Sequence, residues 1–155
     1  MSRAFVKEPD GLEAFEDLPE KLISEHRNMV TAEGLAQIEA EVESASAEHA
    51  RAQAINDRAA IARAARDLSY WLSRRLSAEL QAPPGDTATV HFGSTVTLVR
   101  DDGRKQVFRI VGEDQSNPAK GMISYVSPLA QALLGKAIGD VVPAGNGEVE
   151  IITIA

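Results

Sequence analysis

The chain has 155 residues, 44% hydrophobic and 25% charged; this excludes wholesale disorder and leaves room for one ordinary domain or two small ones. A net charge of −7 and the lack of cysteine exclude an all-round nucleic-acid-gripping surface, a disulfide framework and thiolate metal sites. Met1 to Glu8 holds no apolar run, and no stretch reaches the roughly 20 apolar residues that cross a bilayer, so no signal peptide, no membrane contact and a cytoplasmic location are expected.

Three zones follow one another along the chain. Residues 1–30 read as an acidic N-terminal arm. Up to Asn28 it carries Glu8, Asp10, Glu13, Glu16, Asp17, Glu20 and Glu25 against Arg3, Lys7, Lys21 and Arg27, with sparse apolar residues. An extended arm with a short helix near Pro19 to Ser24 is predicted.

Residues 31–82 read as a coiled-coil hairpin. Thr31 is a helix N-cap type. Leu35, Ile38, Val42, Ala45, Ala52 and Ile55 recur at helical spacing, and so do Ile61, Ala65, Leu68, Leu72 and Leu76. Each set makes a narrow apolar seam. Asn56 and Asp57 form the one turn-like dipeptide between them and mark the hairpin tip. Folding there gives antiparallel arms of about 24 residues, or roughly 36 Å. The first arm is acidic (Glu33, Glu39, Glu41, Glu43, Glu48) and the second basic (Arg58, Arg63, Arg66, Arg74, Arg75), which favours pairing of unlike arms over one long dimeric helix.

Pro83-Pro84-Gly85 stops the second helix, and residues 86–155 change to a period of two. Strands are expected over Thr89–Phe92, Ser94–Val99, Gln106–Val111, Ile123–Val126 and Val149–Ile154, with a turn at Asp101-Asp102-Gly103. Ser127 as cap and Pro128 at the first position start a short helix that Gly135 closes. The fold class expected is α+β: an antiparallel helical hairpin followed by a small antiparallel sheet with one short helix.

This third zone resembles the carboxy-terminal domain of the GreA/GreB transcription factors. The resemblance rests on five phrases in order: Phe92-Gly93 with Val96, Arg109-Ile110-Val111-Gly112-Glu113, Ile123-Ser124, Ser127-Pro128 through Ala132-Leu133-Leu134-Gly135-Lys136, and Gly139-Asp140 with Val142. Met29-Val30-Thr31 with Gly34-Leu35 is similar more loosely to the family's amino-terminal layout.

The resemblance implies an FKBP-like sheet domain and a partner, bacterial RNA polymerase, met at the rim of its secondary channel. Nucleic acid, DNA included, would be met only through the polymerase, and a monomer is expected. It assigns polymerase contact to Ser127 and Pro128, flanked by Val126 and Leu129. Members that stimulate transcript cleavage carry tip acids that share a Mg²⁺ with the polymerase, since Mg²⁺ prefers hard oxygen ligands. Here the tip offers Asn56 and a single acid, Asp57, which is a weak candidate for that metal. No resident metal or cofactor and no enzymatic activity of the chain's own are therefore expected, with weak or no stimulation of cleavage. Two alternatives stand beside this reading: a short-hairpin anti-Gre regulator similar to Rnk that blocks the channel, and a coiled-coil interaction module unrelated to polymerase.

The remaining candidates are weaker. His26, His49 and His91 lack metal-ligand spacing. Tyr70-Trp71 reads as packing, and Arg74-Arg75 as a solvated face or a contact for an acidic surface.

Overall fold

The structure is a computed structural model and describes residues 18–155. The acids expected to charge the arm before Leu18 lie outside the described residues. The chain divides into two compact units. One holds residues 38–76 with the described residues 18–24, and the other holds residues 25–37 with 77–155.

The first unit is built on a helical hairpin. Helix α1 (Ala32–Ala54) and helix α2 (Arg58–Ser77) are joined at Ile55-Asn56-Asp57. Asn56 takes φ +54°, the left-handed region that asparagine tolerates, and this reverses the chain. Asp57 then caps α2, its Oδ1 accepting from the Ala60 N–H at 3.1 Å. In α1 the buried stripe is Ile38, Val42, Ala45 and Ala52, as its spacing predicts, although Ile55 at the tip is 75% exposed.

The second seam lies elsewhere than predicted. Helix α2 buries Ala64 and Arg74, while Leu72 is 39% and Leu76 89% exposed. Two helical stripes about one position apart run through this alanine-rich helix, and periodicity alone cannot choose between them. The face that turns inward carries Ala64 and Arg74 in place of the leucines. Arg74, at 2% exposure, is neither solvated nor without a partner.

The described arm forms no helix. Lys21 Nζ reaches Asp67 Oδ1 at 2.5 Å and lies 5.7 Å from the Tyr70 ring centroid, and the Ser69 hydroxyl donates to Glu20 Oε2 at 3.1 Å. Tyr70 in turn meets Trp71 edge-on, ring centroids 5.0 Å apart. This aromatic pair is therefore packing for the arm, as the sequence suggests.

The second unit is a five-stranded sheet. Its strands are β3 (Thr95–Arg100), β4 (Lys105–Val111), β5 (Met122–Ser124), β6 (Val141–Ala144) and β7 (Gly147–Ile154), in the spatial order β5-β4-β3-β7-β6. Three of the four pairings are antiparallel, but β4 and β5 run parallel. The chain between them turns through a single 3₁₀ turn at Pro118–Lys120. The sheet is thus mixed, not purely antiparallel.

Leu98, Ile110, Ile123, Val142, Val149 and Ile151 alternate into one core, closed by Ala130 and Leu133 of helix α3 (Pro128–Leu133). Ile151 and Ile154, three apart, both face inward because the β3–β7 register shifts between Thr97 and Leu98.

Residues 89–92 form no strand: Val90 instead exchanges backbone hydrogen bonds with the end of α3, donating to Lys136 O and accepting from Gly135 N. The sequence reading missed β6, whose Pro143 disguises an edge strand. It also missed a two-residue parallel pairing of β1 (Met29–Val30) with β2 (Glu79–Leu80).

Candidate functional site: the Ser-Pro loop and the hairpin tip

The loop from Tyr125 to Leu129 links β5 to α3. Ser127, in extended backbone (φ −65°, ψ 152°), accepts from the Ala130 N–H at 3.3 Å, and Pro128 fills the first helical position, where its missing N–H costs nothing. The turn is braced from both sides. Ser124 Oγ accepts from Val126 N at 3.3 Å, the Ser127 N–H donates to Ser124 O at 3.0 Å, and Gln131 Nε2 donates to Tyr125 O at 2.6 Å.

Below the loop, Tyr125 is 9% exposed, packs edge-on against Phe92 at 5.7 Å and donates its hydroxyl to the Arg27 carbonyl. The loop is therefore a rigid rest. Pro128 is exposed at its crest, Ser127 is half-buried, and Val126 and Leu129 lean back onto the core.

The same unit fixes the start of α1. The Thr31 hydroxyl accepts from the Gly34 N–H at 3.0 Å and donates to Gln115 Oε1 at 2.6 Å. Gly34 leaves room for that contact: a Cβ would stand 2.7 Å from the same oxygen, and the end of the Gln115 side chain would have to shift. Gly112 has a similar role, since a Cβ on it would lie 2.4 Å from the Met29 carbonyl oxygen. Arg109 Nη2 meets Glu33 Oε2 at 3.3 Å. The Glu33 carboxyl is held below its ordinary value, first by a backbone hydrogen bond from its own residue and then by Arg109. Arg109 and Gln131 fall within the phrases that carry the resemblance but were given no role from sequence, and Gln115 was not singled out. Gln131 also carried a local cue, lying four residues after the capping Ser127.

The sites expected from sequence fall in different units: Val126–Leu129 share one loop of the sheet unit, while Asn56 and Asp57 belong to the hairpin unit. At the tip one Asp57 oxygen is already engaged in capping α2. No cluster of three or more His, Asp or Glu side chains with metal-holding geometry occurs among the described residues.

Fold and loop together define a two-unit α+β protein, a charged helical hairpin and a small mixed sheet bearing an ordered Ser-Pro crest. Residues 85–155 match the family model described as "Transcription elongation factor, GreA/GreB, C-term". Transcription elongation factor GreB of Neisseria meningitidis serogroup B is 42% identical over 91 residues, covering 54% of this chain and 56% of that protein. Transcription elongation factor GreA of Halalkalibacterium halodurans is 34% identical over 159 residues, covering 86% of this chain and 99% of the relative. Among solved structures, GreA factor homolog 1 of Thermus thermophilus aligns over 84% of this chain and 99% of its own, at 18% identity and a TM-score of 0.41. In several of the sequence matches, the Neisseria GreB among them, the chain spans only about half of the relative's length.

The chain belongs to the GreA/GreB family of transcription elongation factors.

Proposed function

We propose that this protein binds bacterial RNA polymerase at the rim of its secondary channel through the Ser127-Pro128 crest, flanked by Val126 and Leu129. It modulates elongation there with weak or no stimulation of transcript cleavage, and it works as a monomer in the cytoplasm. Family membership supports the partner. The tip carries the finer reading: its single acid, Asp57, is committed to capping α2 and has an arginine, Arg58, as its neighbour. A Mg²⁺ site shared with the polymerase needs hard, ionised oxygen ligands free to reach the metal. A lone capping carboxylate beside a guanidinium is poorly suited to that task.

The crest is tested by gel filtration with core polymerase. The wild-type chain co-migrates, and Pro128→Ala or Ser127→Glu weakens association by about tenfold, equivalent to about 1.4 kcal/mol. Pro128→Ala leaves the thermal midpoint close to that of the wild type, because an exposed first-turn position loses no hydrogen bond. Undiminished affinity in both variants rules out the crest as the contact.

The tip is tested on a backtracked complex, where the protein accelerates cleavage little. A large acceleration abolished by Asp57→Ala overturns the mechanism. The same feature favours a second reading, an anti-Gre regulator that occupies the channel without acting in it. Loss of a cleaving factor's activity on titration with this protein distinguishes that role.

A further inference from the structure

The hydrogen bonds that start α1 end on a sulfur. Thr31 and Gln115 are both buried, at 5% and 6% exposure, and both belong to the sheet unit. The Thr31 hydroxyl accepts from the Gly34 N–H, so its own proton needs an acceptor, and Gln115 Oε1 provides one at 2.6 Å. That assigns the two ends of the amide. Its Nε2 therefore faces the Met122 sulfur, at 3.9 Å. A thioether is a weak acceptor, so this buried donor is only partly satisfied.

Met122 opens β5 at the edge of the sheet. Asn117 holds its backbone there: Met122 N donates to Asn117 O at 3.1 Å, and Met122 O accepts from Asn117 N at 2.8 Å. Ile123 points into the core, so strand alternation sends the Met122 side chain to the other face. Met122 is half-buried, within reach of a small solute while its sulfur rests against one amide. Met29, the other described methionine, packs against the core instead.

We propose that Met122 is a modification site, oxidised by hydrogen peroxide to the sulfoxide, and that the added oxygen tightens the start of α1 through Gln115 and Thr31. A sulfur lone pair attacks one peroxide oxygen, forming the S–O bond as the O–O bond breaks. Sulfur loses two electrons, the peroxide is reduced, and the proton of the transferred hydroxyl passes to the departing oxygen, which leaves as water. The new oxygen enters the gap between sulfur and Nε2 and gives that donor a strong acceptor. The sulfoxide is chiral, and one epimer alone aims its oxygen at Gln115. Methionine oxidation ordinarily disrupts packing. Here an under-used amide faces the new oxygen, and the sign reverses. This does not depend on polymerase binding.

The test treats the full-length protein with hydrogen peroxide and reads it by peptide mass mapping and amide hydrogen exchange. Met122 gains one oxygen before Met29 does. The Gly34 amide, which donates to the Thr31 hydroxyl, then exchanges about fivefold more slowly, as one net hydrogen bond added to its chain would give. A methionine sulfoxide reductase returns the mass and the exchange rate to their starting values. Met122→Leu, which conserves volume and so keeps the fold, removes the response of Gly34 to peroxide. Oxidation of Met29 ahead of Met122 overturns the proposal. A Met122 sulfoxide that leaves Gly34 exchange unchanged, or hastens it, overturns it equally. So does a slowing at Gly34 that persists in Met122→Leu, since another oxidised group would then be its source.

Discussion

Gly112 shows how one missing atom fixes a contact. It follows β4, and a Cβ there would come within 2.4 Å of a backbone oxygen, that of Met29. A flexible side chain can swing away from such a clash, but a carbonyl in a paired strand cannot without moving the strand. Gly112→Ala is therefore expected to destabilise the sheet unit by about 2 kcal/mol or more, the range of overpacking. Gly34→Ala costs less, because it meets the amide end of Gln115 and gains helix propensity of up to about 1 kcal/mol. Urea unfolding of the two variants checks the order, and equal midpoints would show that the Met29 strand yields as readily as a side chain. Neither glycine has a positive φ. Close approach, not backbone conformation, is why both are glycine.

At the scale of elements, the hairpin turn combines two devices with separable costs. Asn56→Ala forces a β-carbon residue into the left-handed region for about 1 kcal/mol, and Asp57→Ala removes a cap for about 1 kcal/mol. The two should lower the hairpin's helical melting point by similar amounts, as circular dichroism would record. Any transcriptional effect of Asp57→Ala has to be compared with Asn56→Ala, which perturbs the same turn while sparing the carboxylate.

These two residues were legible because a polar dipeptide interrupting helical periodicity has few other readings. The Ser127-Pro128 helix start was legible for a similar reason, since capping chemistry is local. The second seam was not, because alanine satisfies either of two adjacent helical faces and tertiary contact makes the choice. Nor was β6: Val141-Val142-Pro143-Ala144 acquires strand character only by pairing with β7. The polymerase contact assigned to Ser127 and Pro128 came from resemblance, and local geometry explains the shape of that crest without naming what meets it.

For the whole molecule, the relevant feature is the parallel pairing of Met29-Val30 with Glu79-Leu80. Asn28 O accepts from Glu79 N at 2.8 Å, Val30 O from Gln81 N at 2.9 Å, and Arg27 Nε donates to Glu79 Oε2 at 3.0 Å. Residues 38–76, the hairpin unit, are thus inserted between two segments of the sheet unit that this pairing ties together. Excising one heptad from each arm next to the tip, residues 47–53 and 59–65, shortens the arms by about 10 Å. Shrinking a closed loop of this size changes its closure entropy by only about 0.3 kcal/mol. The sheet unit should then unfold at an unchanged denaturant midpoint, followed by the near-ultraviolet signal of Tyr125. A shifted midpoint would mean that the sheet draws stability from beyond the clasp.

A clasp of this kind makes hairpin length a free variable. Natural selection, or an engineer, can add or remove matched helical turns within residues 38–76 without rewriting the sheet unit's own residues. One sheet unit then accommodates hairpins of many lengths.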